Sequence, residues 1–155
     1  MLMSVTIIDN RRLLDAFRKQ LGQADKEVVA GIQAGAVNEG LQVAEYAAWN
    51  EFGTRSIPAR PFMRNYVDNN TDRLIRLMAN GVTQIALGNA TTMGLLNTLG
   101  LEMQSGIKRS ITGGDFAPNA PYTVQKKGSN KPLIDTGVML NSVTFAIRNA
   151  GETQS

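Results

Sequence analysis

From Phe62 to Ile111 an apolar residue returns close to every fourth position, and the pattern is broken once, at Gly88 and Asn89. Phe62, Tyr66, Leu74, Met78, Val82 and Ile85 form the first stripe, interrupted by the polar Asn69, Asn70 and Thr71. Leu96, Leu99, Met103, Ile107 and Ile111 form the second, with Thr91 or Thr92 placed to cap it. A spacing of this kind predicts two amphipathic helices, the first of roughly 20 residues or about 30 Å. Each must bury its stripe, so the rest of the chain has to supply the surface they pack on.

Glycines at 88, 94, 100 and 106 recur within this region at every sixth residue. That interval rotates around a helix and cannot build one contact face. An interior glycine costs up to about 1 kcal/mol relative to alanine, which predicts that close packing against a neighbour offsets some of them.

The flanks read as short strands and helices. Val5 to Ile8 is β-branched and predicts a strand, with Asp9 or Asn10 as a cap for a helix that carries Leu13, Leu14, Phe17 and Leu21 on one face and stops at Gly22. Lys26 to Gln33 predicts a second strand, and the Gly-rich Ala34 to Gly40 a flexible loop or one ordered by a neighbour. Helical spacing returns from Leu41 to Phe52, where Gly53 suits a left-handed cap. After Gly113 and Gly114 comes a long irregular loop with three prolines and three lysines. Loops of about 20 residues in a compact domain usually carry function or are ordered by a partner. Asp135 or Thr136 then restarts a short helix, and Val143 to Arg148 alternates as a half-buried strand. The expectation is one α+β domain over residues 1–148, a small antiparallel sheet packed against two long helices, followed by a disordered tail at 149–155.

Cysteine and histidine are both absent. This removes disulfides, the usual zinc ligands, the thiolate nucleophile and the imidazole base, and no cofactor is expected. The N-terminal residues place charge directly after a short apolar stretch, the reverse of a signal peptide, and no long apolar run occurs. A protein made in a cytoplasm with no membrane partner is expected. With 16 basic and 13 acidic side chains the net charge is +3, a mild excess rather than the dense basic face of a DNA-grasping module.

Asp68 and Asp72 share a helix face, but Arg64, Arg73 and Arg76 lie within a turn of them and favour a salt-bridged surface over a metal site. Lys126, Lys127 and Lys131 surround a Gly-Ser-Asn, without the strand and spacing of a phosphate-binding loop. Glu45 and Glu51 beside Tyr46 and Trp49 permit a carboxylate-dependent sugar hydrolase, yet a second carboxylate in a definable position is missing.

The stretch Ala44 to Tyr66 is the most concentrated. Tyr46, Trp49, Phe52, Arg55, Arg60, Phe62 and Arg64 have the composition of a subunit interface, where aromatic residues and arginine concentrate binding energy. Trp49 and Phe62 could equally fill the core where the chain turns back. Pro58 forces Ile57 toward an extended conformation and Pro61 can open a helix, so the segment reads as a stiff elbow between two helices.

Two blocks carry a resemblance. Ala48, Glu51, Gly53, Ile57, Pro58, Arg60, Pro61, Phe62 and Arg64 form the first; Leu133, Asp135, Thr136, Gly137, Met139 or Leu140, and Ser142 form the second. In this order they resemble the neck and tail-completion proteins of tailed bacteriophages and prophages, over about Val28 to Ile147. Family members often carry a histidine near the first block, and this chain has none. The resemblance implies a non-enzymatic virion protein at the head-tail junction, repeated as a ring and expected as a hexamer, that joins the capsid connector to the tail around the DNA path. Its implied neighbours are copies of itself, a head connector or stopper protein, a tail tube or tail terminator protein, and DNA passing non-specifically through the lumen. The aromatic and arginine cluster would then be the subunit contact, and Lys126, Lys127 and Lys131 an assembly loop or lumen surface. A tail-tube terminator or head-side connector subunit is the alternative within that class, and a cell-wall hydrolase the alternative outside it.

Overall fold

The computed structural model describes residues 11–23, 25–33, 35–128, 130–134 and 137–152. The strand expected at residues 5–8 and its following cap, the helix start at Asp135 or Thr136, and the last three residues lie outside this set. The elements run α1 (Arg11–Leu21), β1 (Lys26–Ile32), β2 (Val37–Asn38), β3 (Leu41–Gln42), α2 (Val43–Phe52), α3 (Phe62–Ala86), α4 (Thr92–Gly113), α5 (Pro121–Lys127), α6 (Val138–Ser142) and β4 (Val143–Asn149). The class is α+β, with two small antiparallel sheets and two long helices.

The larger sheet pairs β1 with β4 antiparallel, from Lys26 opposite Asn149 to Ile32 opposite Val143. This register puts Val28, Ala30 and Ile32 on the same face as Ile147, Phe145 and Val143, because directly opposed residues share a side of the sheet. That face meets α4. On the other, Arg148 Nε donates to Glu27 Oε1 at 2.7 Å across the pair. The strand extends past Arg148 to Asn149, and the Ala150 N–H donates to the Asp25 carbonyl.

α4 lies between the sheet and α3, and the six-residue glycine spacing has its physical account here. Six residues turn a helix by about 240°, so successive glycines meet different neighbours. A Cβ at Gly100 would collide with the Phe145 ring in the sheet, and one at Gly106 with the Tyr66 ring on α3. Gly88 terminates α3 with φ +78°, and Gly94 donates its N–H to the capping Thr91 hydroxyl at 3.0 Å. Four glycines thus do four separate jobs.

The core gathers at one end of the helix pair, where Phe62 and Tyr66 of α3 meet Ile107 and Ile111 of α4, Val43 and Ala47 of α2, and Met139 of α6. Toward the other end the first stripe departs from expectation: Met78 and Val82 are 51% and 53% exposed. The reason is local. At Gly81 the side chain of Leu95 presses against α3, so the contact line runs through Leu74, Gly81 and Ile85 rather than through the neighbouring Met78 and Val82. α1 is tied to this end through Gln20, whose side-chain oxygen accepts the Thr92 N–H at 2.8 Å and whose carbonyl accepts the Thr92 hydroxyl.

Three further expectations are corrected. The Gly-rich stretch before α2 is not a free loop but a minimal hairpin, in which Glu39 and Gly40 take φ of +51° and +80° and turn β2 into β3. Because β3 takes Leu41 and Gln42, α2 starts at Val43. Within the lysine loop, Pro121 opens the seven-residue helix α5, and Gly128 closes it in the left-handed conformation at φ +67°.

Substituting Gly106 or Gly100 by alanine inserts a methyl group into a filled contact and should destabilise the fold by about 1–3 kcal/mol. Gly113→Ala, where a Cβ meets nothing within 4 Å, should not. Urea denaturation midpoints of the three variants check this; equal effects at Gly106 and Gly113 would contradict the packing account.

Candidate assembly surface at the helix elbow

The chain leaves α2 at Gly53 and must reverse within eight residues to enter α3. Gly53 takes φ +77°, and a Cβ there would lie 3.0 Å from the Ala59 nitrogen, so the returning backbone passes directly over it. Thr54 holds the turn: its N–H donates to the Ile57 carbonyl, and its hydroxyl accepts the Ser56 and Ile57 N–H groups at 3.2 and 3.0 Å.

α3 begins with a deficit. Its N-cap is Pro61, which offers no side-chain acceptor; the Phe62 N–H donates to the Arg60 carbonyl, and the next two N–H groups lack a local partner. Glu51 supplies one from the preceding helix. Its Oε2 accepts the Met63 N–H at 2.9 Å and its Oε1 the Arg64 N–H at 3.0 Å. A carboxylate at a helix N-terminus also complements the positive end of the helix dipole. Glu51 is 7% exposed, and its two oxygens fix how α2 and α3 meet.

Arg60 is the second fastener. It is 5% exposed, and its guanidinium forks across several neighbours. Nε donates to the Ala117 carbonyl at 2.8 Å, Nη1 to Asn50 Oδ1 at 3.0 Å, and Nη2 to the Pro118 carbonyl at 3.0 Å and Asn119 Oδ1 at 3.3 Å. Its own N–H donates to the Asn50 carbonyl. Burial pulls its pKa below the ordinary arginine value. The planar fork suits this task because one side chain meets several fixed acceptors at once. Among the described residues, no buried side-chain nitrogen or oxygen is left without a partner.

Of the seven residues singled out at the elbow, Phe62 is fully buried in the core and Arg60 is the internal fastener. Tyr46 is half-buried and borders a cavity of about 340 Å³ that also touches Arg60, Asn119 and Leu133. The other four face outward. Phe52 is 70% and Trp49 37% exposed, one helical turn apart on α2, and the Arg64 guanidinium sits over the Phe52 ring at 5.8 Å from its centroid. Arg55 is exposed on the turn. Lys126 is exposed on α5, Lys131 is exposed beyond it with its carbonyl accepting the Asn119 side chain, and Lys127 ends α5. Sequence reasoning missed Glu51 as a cap, because its partners lie in the following helix, although a carboxylate ahead of a Pro-initiated helix is a usable signal.

Elsewhere, Arg73 does not pair within its own helix as the sequence suggested. It turns to Glu102 of α4 at 2.8 Å, as Arg109 does at 3.1 Å. Asp68 and Asp72 are exposed, and among the described residues no group of carboxylates is placed to hold a metal ion.

Comparison with family models, with curated proteins and with solved structures finds no match to this chain.

Replacing Arg60 by alanine strands two backbone carbonyls and two amide oxygens, and should cost on the order of 3 kcal/mol. Arg60→Lys should recover little, since an ammonium cannot reproduce the fork. Phe52→Ala should stay within about 0.5 kcal/mol of the parent, as surface substitutions do. Chemical denaturation distinguishes these; a neutral Arg60→Ala would show that the elbow is held by something else.

Proposed function

We propose that this chain is a non-enzymatic subunit of a ring at the head-tail junction of a tailed phage or prophage, linking the head-side connector to the tail around the DNA path. The observation that carries the reading is the elbow. It presents Trp49, Phe52, Arg55 and Arg64 outward on a support whose own hydrogen bonds are already made. Rigid aromatic and arginine anchors of this kind concentrate binding energy and lose little conformational entropy on assembly. A ring closes through heterologous contacts, so this face would meet a different surface of the next copy. The first of the two sequence blocks that resemble neck and tail-completion proteins falls on structurally committed positions, with Glu51 and Arg60 as fasteners and Gly53 at the reversal.

Ring size is expected to be six, with a head connector or stopper on one side and a tail tube or terminator protein on the other. A terminator or connector subunit would use the same face. The hydrolase reading draws less support: both Glu51 oxygens are occupied by backbone N–H groups, which takes Glu51 out of acid-base work and leaves Glu45 to act without it.

Phage particles lacking this chain should appear in negative stain as DNA-filled heads beside separate tails. Supplying the Phe52→Ala/Arg64→Ala double variant, both residues exposed, should leave most particles unjoined, with binding weakened about tenfold or more, while its circular dichroism and melting midpoint match the parent. Intact particles that fail only at infection, together with clearing of a peptidoglycan suspension by the purified protein, would replace this reading with the hydrolase.

A further inference from the structure

Away from the elbow, two shallow hollows line the groove between α3 and α4 and adjoin at Arg73 and Arg109, which border both. Its floor is Glu102. The carboxylate side chain is 18% exposed, while the two guanidinium groups that bind its Oε1 are 56% and 61% exposed. One inner acid therefore aims two arginines outward without covering them. A guanidinium has five N–H donors, so each keeps donors for a partner in solution. Arg76 stands one turn along α3, exposed and outside the ion pairs found among the described residues. In the hollow that holds all three, Glu102 is the only acid among the described residues.

We infer that this groove is a contact surface for the phosphate backbone of duplex DNA. The chemistry of its walls selects that partner. Asn80 and Ser105 beside the arginines, and Asn65 and Asn69 farther along, are neutral hydrogen-bonding groups, the side chains that accompany arginine on phosphate oxygens. Single strands are bound by stacking bases on aromatic faces, and the aromatic residue that lines the groove, Tyr66, is buried with its hydroxyl on the Glu102 carbonyl. An acidic peptide could meet the same guanidinium groups, but beside the three arginines the apolar lining is limited to Leu77 and Leu101, which gives peptide side chains few anchors, and polyglutamate competition separates the two. Asp115 closes the far end, which directs a polyanion toward Arg76. Three arginines give at most about three phosphate contacts, hence weak, sequence-independent and salt-sensitive binding. The inference deepens the neck reading and rests on it only for why duplex DNA would be at hand. It places the DNA contact on α3 and α4 rather than on the lysines of α5.

The test is fluorescence anisotropy of a labelled mixed-sequence duplex with the full-length protein across a salt series. The expected slope of log K against log salt is about −2 to −3, from roughly 0.9 per phosphate contact. Arg76→Gln should weaken binding several-fold and make the slope shallower by about one, whereas Arg76→Lys should keep most of both. Arg76 is exposed and outside those ion pairs, so these variants should melt like the parent. A Lys126→Gln/Lys131→Gln variant should bind as the parent does. Absence of duplex binding at low salt, an unchanged slope in Arg76→Gln, loss of binding confined to the lysine variant, or equal competition by polyglutamate would each overturn the inference. Head-tail joining in the particle assay reads the neck proposal separately, so a failed groove beside intact joining sinks only the groove.

Discussion

The geometry of this protein depends on how a helix that begins with proline obtains hydrogen-bond partners. Pro61 sets the entry to α3 but offers no cap. The missing acceptors come from Glu51, two oxygens on the last turn of the preceding helix. A cap supplied from a different element does more than satisfy donors: it ties the end of α2 to the start of α3, and the short connection between them has to close over Gly53. Arg60 then extends the joint outward to the segment at 117–119. Phe62, fully buried, anchors the same few residues in the core. The exposed Trp49, Phe52 and Arg64 are consequences of this arrangement, since the inward positions of the segment are already occupied.

α4 plays the complementary role. Its glycines let Phe145 of the sheet and Tyr66 of α3 approach from different directions, so the one helix serves both layers. Tyr66 is held there as the neutral phenol: burial first, then the charge of Glu102, raises its pKa against the opposing pull of Arg109 and Arg73. The same Glu102 organises the arginines of the groove. Packing between the helices and the charge displayed along their seam are therefore one arrangement, and a change at residue 102 would disturb both.

Much of this was legible in the sequence because it is periodic. The helices from Phe62 and from Thr92 follow from apolar spacing, the antiparallel β4 from its alternation, and the elbow from Pro58 and Pro61. What was not legible depends on partners distant in sequence. Arg55, Arg60 and Arg64 look alike in one stretch, yet one is buried and two are exposed; only the carbonyls at 117 and 118 separate them. Arg73 had acids on its own helix and chose one on the next. The glycine spacing was visible, but its meaning required Phe145 and Tyr66. The hairpin at Glu39 and Gly40 and the short α5 escaped because each is a few residues fixed by left-handed backbone positions rather than by an apolar pattern.

The central claim is that the elbow is built within the single chain, by Glu51 and Arg60, without any partner. Hydrogen exchange of the free protein tests it most directly, since exchange rates report local opening. The backbone N–H groups of Arg60, Met63 and Arg64 should be protected to the same degree as those in the middle of α4. If they instead exchange as fast as the exposed turn at 54–56, the joint is not formed in the free protein, and Glu51 and Arg60 are not what holds its elbow.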